Sequence, residues 1–177
     1  MLIARERQFG FSLIELMIGI VVLAVLVTLA MPMFREWMAS TQIRNASDAL
    51  LNGMQLARTE ALRRNKNVEF RLGNDSDWEV WQAAPAIRIQ VRGSQEGQTD
   101  SAVVTPAPGD ASTVTFSPLG GVTTNLDGTS PITAIDITAA TGAPTSVRPL
   151  RVVIPASGGA RMCDPGSDLK STDTRRC

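Results

Sequence analysis

The residues with chemistry to offer are few, and the most telling is a carboxylate in an unfavourable solvent. Glu15 stands at the head of residues 16–30 (LMIGIVVLAVLVTLA), which contain no charged side chain. The ten residues before Phe11 (MLIARERQFG) carry Arg5 and Arg7 against a single Glu6. Cationic flanks stay on the cytoplasmic side, and about 20 apolar residues cross the hydrocarbon core. The pattern therefore predicts a cytoplasmic leader running into a membrane-spanning helix, with the remainder of the chain outside the cytoplasm. A carboxylate inside a bilayer costs on the order of 2.5–3.5 kcal/mol on insertion scales, so Glu15 calls for a partner or a role. A new amino terminus at Phe11 would supply a cationic partner.

Cys163 and Cys177 are the only cysteines. They are too far apart for a CxxC redox pair, and two cysteines in a chain without His make a poor zinc site. In an oxidising periplasm they should form a disulfide, closing a polar tail (DPGSDLKSTDTRR) with too little apolar content to hold itself in place. In the chain-entropy picture a loop of roughly 15 residues gains about 3 kcal/mol from such a bond. The absence of His, of phosphate-binding or dinucleotide glycine motifs and of a nucleophile–base pair gives no basis for an enzyme, a cofactor or a metal site. Asp164-Pro165-Gly166-Ser167-Asp168 and Asn74-Asp75-Ser76-Asp77 offer oxygen donors suited to calcium, but both lack the EF-hand pattern and read as turns.

These residues need positioning, and 177 residues leave room for one membrane helix and one modest domain. Without residues 1–10, which hold Arg5, Arg7 and Glu6, the 17 basic and 17 acidic side chains become about balanced, with one acidic group in excess. Such a balance argues against bulk binding to nucleic acid or acidic lipid, leaving only a local patch. Aromatics are sparse, and Gly, Pro, Thr and Ser thicken after about residue 90, as in a β-rich head with long loops.

From residue 33 to 64 the pattern is helical. Phe34, Trp37 and Met38, then Ala46, Ala49, Leu50, Met54, Ala57 and Ala61, recur at spacings of three and four. Pro32 either kinks the helix at the end of the span or marks a point where it can loosen locally. A helix over 11–64 would be about 54 residues and roughly 80 Å long. Beyond Asn65 and Lys66 the period becomes two. Val68-Glu69-Phe70-Arg71-Leu72, a turn at 74–77 and Trp78-Glu79-Val80-Trp81 predict a hairpin against the helix stripe, with one tryptophan in the core and the other partly exposed. Ile87-Arg88-Ile89-Gln90-Val91-Arg92 predicts a third strand whose Arg88 and Arg92 share a polar face. Residues 93–111 read as loop around a short apolar pair, Val103-Val104. Further strands are expected at 112–116, 132–137 and 150–154, six or seven in all.

Gly10 followed by Phe11-Ser12-Leu13-Ile14-Glu15 and a long apolar run resembles the processing signature of type IV pilins and of the pseudopilins of type II secretion systems. The resemblance implies that a prepilin peptidase cuts after Gly10 and N-methylates Phe11. It further implies that Glu15, fifth in the mature chain, pairs with the amine of a neighbouring subunit during filament assembly. Leu56-Ala57-Arg58-Thr59-Glu60-Ala61 is similar to the stretch that closes this helix in the pseudopilin H and FimT/FimU minor-pilin group. On charge alone, Arg58 and Glu60 read as a solvated helix face. A C-terminal disulfide loop is similar to that of many type IV pilins and minor pilins, and favours a pilus subunit over a secretion pseudopilin.

Two plainer readings compete. One is a signal peptide with residues 16–28 as its apolar region and cleavage after Ala30; the other is a membrane anchor that tolerates Glu15. Neither accounts for a charge at that position.

The last third also carries Arg148, Arg151, Arg161, Lys170, Arg175 and Arg176 against Asp164, Asp168 and Asp173. Some members of the FimT group bind DNA through a Gly-Arg-x-Arg motif in this region. The matching residues are Gly158-Gly159-Ala160-Arg161, so only Arg161 carries over, with Arg175 and Arg176 as further phosphate contacts and a solvated tail as the alternative.

The expected fold is α+β, a long N-terminal helix packed on a mostly antiparallel sheet head. Residues 1–10 form the leader and 11–64 the helix, of which 11–31 is the transmembrane and filament-core part. Residues 65–177 form the periplasmic head. The expected function is that of a minor pilin or pseudopilin, a structural subunit of a type IV pilus acting in assembly or at the tip. A type II secretion pseudopilin of the H type and a DNA-binding minor pilin are the alternatives. The expected partners are prepilin peptidase, other pilins or pseudopilins, the inner membrane and, in the last alternative, DNA.

Overall fold

The computed structural model describes residues 11–93, 95–96, 102–140, 146–166, 168–170 and 172–177. The leader with Gly10 lies outside the described residues, as does part of the 93–111 connection. Two compact units, Met1–Arg35 and Glu36–Cys177, are described in turn.

The helix α1 (Leu13–Arg64) begins two residues later than Phe11 because Ser12 caps it. Within the first unit every residue from 11 to 35 is exposed. Its apolar side chains point in all directions, and the best 18-residue window has a mean hydropathy of 2.8, long and apolar enough to cross a membrane. A helix apolar on every face has no side suited to water and needs lipid or other helices around it. α1 continues through Pro32, which has no amide to offer the Thr28 carbonyl one turn back.

In the second unit the helix buries Ile43, Ala46, Ala49, Leu50, Gly53, Met54, Ala57 and Ala61. The expected stripe is correct from Ala46 onward but begins too early. Trp37 and Met38 are 63% and 40% exposed, and Phe34, in the first unit, is exposed as well. Periodicity shows which residues share a face; it does not show where the covering layer stops. The helix ends as Asn65 enters the left-handed region (φ 52°) and the Lys66 amide donates back to the Ala61 carbonyl at 3.3 Å, which satisfies one of the orphan carbonyls.

The head holds nine strands among the described residues rather than six or seven, and they form two sheets. β1 (Val68–Leu72), β2 (Trp78–Gln82), β3 (Ile87–Arg92), β5 (Thr113–Phe116) and β6 (Val122–Thr123) form an antiparallel sheet in the order β3-β2-β1-β5-β6. β4 (Ala102–Ala107), β7 (Ala134–Ala139), β8 (Leu150–Val153) and β9 (Arg161–Cys163) form the second, ordered β4-β7-β8-β9. Sequence reading missed β4, β6 and β9. The first contains Pro106, and the other two are too short to show a period of two. Phe70, Val80, Val114 and Phe116 from one sheet and Ile135, Ile137 and Val152 from the other join the helix stripe in a single core. Trp78 is buried in it, while Trp81, on the opposite face, is half-buried.

The register between β2 and β3 shifts after Val80, so that Trp78 pairs with Arg92 and Trp81 with Arg88. Directly paired residues share a sheet face. Arg88 and Arg92 therefore lie on opposite faces, contrary to the expectation from simple alternation. The bulge at Ile89 inserts one residue and reverses the parity. Consistent with this, Arg88 lies over the Trp81 ring at 5.9 Å, whereas Arg92 has a buried guanidinium nitrogen.

Candidate assembly site

At the start of α1 the Glu15 amide donates to Ser12 Oγ at 3.2 Å, and the Leu16 amide donates to the Ser12 carbonyl at 3.2 Å. Ser12 is thus the N-cap, and Glu15 sits at the third helical position, the spacing of a capping box. Its carboxylate falls in the first turn, where the helix dipole is positive. Phe11, directly before the cap, is 85% exposed. The sequence reading singled out Glu15 for its cost in lipid but missed this second role, although the Ser-x-x-Glu spacing carries the signal. Gly10 lies outside the described residues.

At the other end of the helix, Arg58 and Glu60 are not a solvated face. Arg58 Nε donates to the Gly120 carbonyl at 2.9 Å. Gly120, in the turn between β5 and β6, and Gly158, in the turn between β8 and β9, both have positive φ. A Cβ at Gly158 would stand 2.0 Å from the Gly120 carbonyl oxygen and 3.4 Å from Arg58 Nε. The Val122 amide also donates to the Ala156 carbonyl at 2.9 Å, so the turns of the two sheets meet beside one helix arginine. Glu60 has 12% of its side-chain surface exposed and accepts hydrogen bonds from Arg63, at 2.7 and 2.9 Å, and from Arg64 at 2.6 Å. Arg63 chiefly, then Arg64, hold its carboxyl at about 2, against the opposing effect of burial.

The C-terminal loop is closed by a bond between Cys163 and Cys177. Asp164, buried beside it, organises the loop. Its carboxylate accepts from the Gly166 amide at 2.8 Å and from Arg148 at 3.2 Å, and its main chain pairs with Arg175 and Cys177. A cleft of about 520 Å³ lies between this loop and the helix, with Ser40, Ile43 and Arg44 on one side and Met162, Asp164 and Arg175 on the other.

Three of the six basic residues of the last third are committed to carboxylates. Arg148 also pairs with Asp168 at 2.6 Å, Arg151 forms two bonds with Asp136 across β7 and β8, and Arg175 pairs with Asp173 at 2.8 Å. That pairing, Arg175 foremost, holds the Asp173 carboxyl at about 2. Arg161, on β9, Lys170 and Arg176 are exposed, and no ion pair to any of them is present among the described residues.

On the outer face of the five-stranded sheet, Asn125 is buried. Its amide accepts from Thr115 Oγ1 at 2.9 Å and donates to the Thr113 carbonyl and Thr129 Oγ1, clamping the connection before β7 onto the sheet.

Residues 5–31 match the prokaryotic N-terminal methylation motif, and residues 46–158 match the family described as type II transport protein GspH. No curated protein matches the chain significantly. The type IV minor pilin FimU of Pseudomonas aeruginosa PAO1 is similar in two crystal forms. One is 15% identical, with a TM-score of 0.43, over 67% of this chain and 90% of that one; the other is 16% identical, with the same score, over 73% and 92%. The methylation motif falls on the capped start of α1, and the GspH match covers the buried stripe from Ala46 onward and every strand but β9, so the chain belongs to the GspH family and is a minor pilin or pseudopilin with an N-methylation motif.

Proposed function

We propose that this chain is a structural subunit of a type IV pilus, held in the inner membrane by residues 11–31 with its head in the periplasm. Prepilin peptidase cuts after Gly10 and methylates Phe11, and the apolar helix then exchanges lipid for neighbouring helices. Glu15 pairs with a subunit amine as both leave water. The observation that carries this reading is the helix start: Ser12 caps it, Glu15 lies in its first turn, and residues 11–35 are exposed throughout. A carboxylate fixed at the entrance of an otherwise apolar segment is costly unless a cation meets it there. The cysteine-closed C-terminal loop favours a pilus over a type II secretion pseudopilus.

The test is intact mass and N-terminal sequencing of the protein from its native membrane, with and without prepilin peptidase. The expected product begins at N-methylated Phe11 only when the peptidase is present. A chain that keeps residues 1–10, or begins at Met31, would overturn the reading. Loss of type II secretion without loss of pili in a deletion strain would move the subunit to the other filament. For DNA, Arg161, Lys170 and Arg176 are the exposed cations left to contact phosphate, and salt-dependent binding reduced by Arg161→Ala would establish that role.

A further inference from the structure

The three tryptophans of this chain have different surroundings. Trp78 is buried at 3% exposure, and Trp81 is half-buried, with the guanidinium groups of Arg71 and Arg88 at 5.1 and 5.9 Å from its ring. Trp37 is 63% exposed. A large aromatic gains most by leaving water, so an indole shown to solvent on this scale calls for a cover that the head does not supply. None of residues 36–42 is buried, and Ile43 is the first buried residue of α1.

Its place along α1 says what that cover is. Residues 16–34 carry no charge, the run ends at Arg35, and Trp37 follows two residues later. Glu15 and Arg35 thus bracket about 20 residues, roughly 30 Å of helix, which is the thickness of a hydrocarbon core. With that run in the bilayer, Arg35 falls at the periplasmic boundary, where its stem lies along lipid and its guanidinium reaches the headgroups. Trp37 falls in the interfacial layer just beyond. A helical side chain leans towards the start of its helix, so the indole turns back towards the lipid. Met38, 40% exposed, continues the apolar surface of the span into the same layer.

We propose that Trp37 is the periplasmic interfacial anchor of the unassembled subunit, seated among the glycerol and ester groups of the lipids at the membrane surface. A ring that is apolar in its body and polar at one edge suits this layer better than either water or hydrocarbon. The anchor sets the depth of α1, and so keeps Glu15 at the opposite boundary and away from the bilayer centre. It extends the lipid-contacting segment beyond residue 31 and rests on the membrane-anchored reading proposed above.

The test reconstitutes the full-length chain in vesicles of phosphatidylethanolamine and phosphatidylglycerol that contain lipid brominated either near the headgroup or near the chain ends. Trp37→Phe leaves the core as it is, and subtracting its fluorescence from that of the parent isolates the Trp37 signal. That signal is expected to fall about two-fold with the shallow bromines, less with the deep ones, and to be about three-fold less open to iodide than free tryptophan. Adding Met33→Trp to Trp37→Phe moves the indole about one turn inwards and should make the deep bromines the stronger quencher. Flotation of the vesicles on a density gradient is read alongside. A chain that does not float overturns the membrane-anchored reading and the anchor with it. A chain that floats while its Trp37 signal ignores the bromines, stays open to iodide or is quenched most by the deep bromines overturns the anchor alone, as does a Met33→Trp indole with the same depth profile as Trp37.

Discussion

A Cβ built on Gly53 would stand 2.9 Å from two ring carbons of Trp78, closer than real Cβ atoms approach, so the helix meets β2 at a point where only glycine fits. Phe70 Cε2, at 2.8 Å, closes the same space. Both rings are buried and neither can swing aside. Replacing glycine by alanine in a helix interior normally stabilises by up to about 1 kcal/mol, whereas overpacking a filled core costs about 1–3 kcal/mol. Gly53→Ala should therefore lower head stability by about 1 kcal/mol or more in urea unfolding. Gly19→Ala, with open space around the glycine, should leave it unchanged.

Arg58→Ala should destabilise the head by about 1.5–3 kcal/mol, the range for a lost hydrogen bond to a charged group. Arg58→Lys should recover only a small part of this, because an ammonium at the end of a flexible stem cannot reproduce the Nε donor at 2.9 Å from the Gly120 carbonyl. Full recovery by lysine would show that charge alone matters. Gly158→Ala, with a positive φ of 78° and a backbone oxygen in the way, should be the most damaging of the three.

Acid should weaken the head through Glu60. Its carboxyl titrates at about 2 in the folded chain against 4.5 ordinarily, so its contribution is fully present above 4.5 and is lost as pH falls towards 2. Screened through its solvent-exposed partner Arg63, this is worth on the order of 1 kcal/mol. Glu60→Gln should lower stability at pH 6 while flattening its decline between pH 4.5 and 2. Parallel curves for variant and parent would remove Glu60 from the account.

Cys177→Ser opens a loop of 14 residues' separation and should cost about 3 kcal/mol in the chain-entropy picture. The loss should be smaller to the extent that Asp164 still holds Arg148 and Gly166. Melting temperature with and without reductant measures it. A parent protein indifferent to reductant would mean that the Asp164 contacts alone fix the loop.

Much of the fold is legible in the sequence. The helix from its apolar run to Arg64, the β1–β2 hairpin with its turn at 74–77, and the division of labour between Trp78 and Trp81 all follow from periods of 3.6 and 2. Glu15 was legible because a charge is conspicuous in an apolar segment. Arg58 was not, since its partner is a backbone carbonyl 62 positions away and charge on a helix usually means solvent. β4, β6 and β9 were hidden for a related reason: short or proline-bearing edge strands are defined by their neighbours, and no local pattern announces them. The Ile89 bulge inverted the facing of Arg92 because alternation presumes an unbroken ladder.

The meeting of both sheets' turns at Arg58 bears on how the head comes apart. Neither sheet has a core of its own: the helix stripe, Phe70 and Phe116 on one side and Ile135 and Val152 on the other belong to one cluster, and the Gly120 and Gly158 turns hold each other in place beside the same guanidinium. The head is therefore expected to unfold as a single cooperative unit, in one transition and without releasing a stable half to proteolysis.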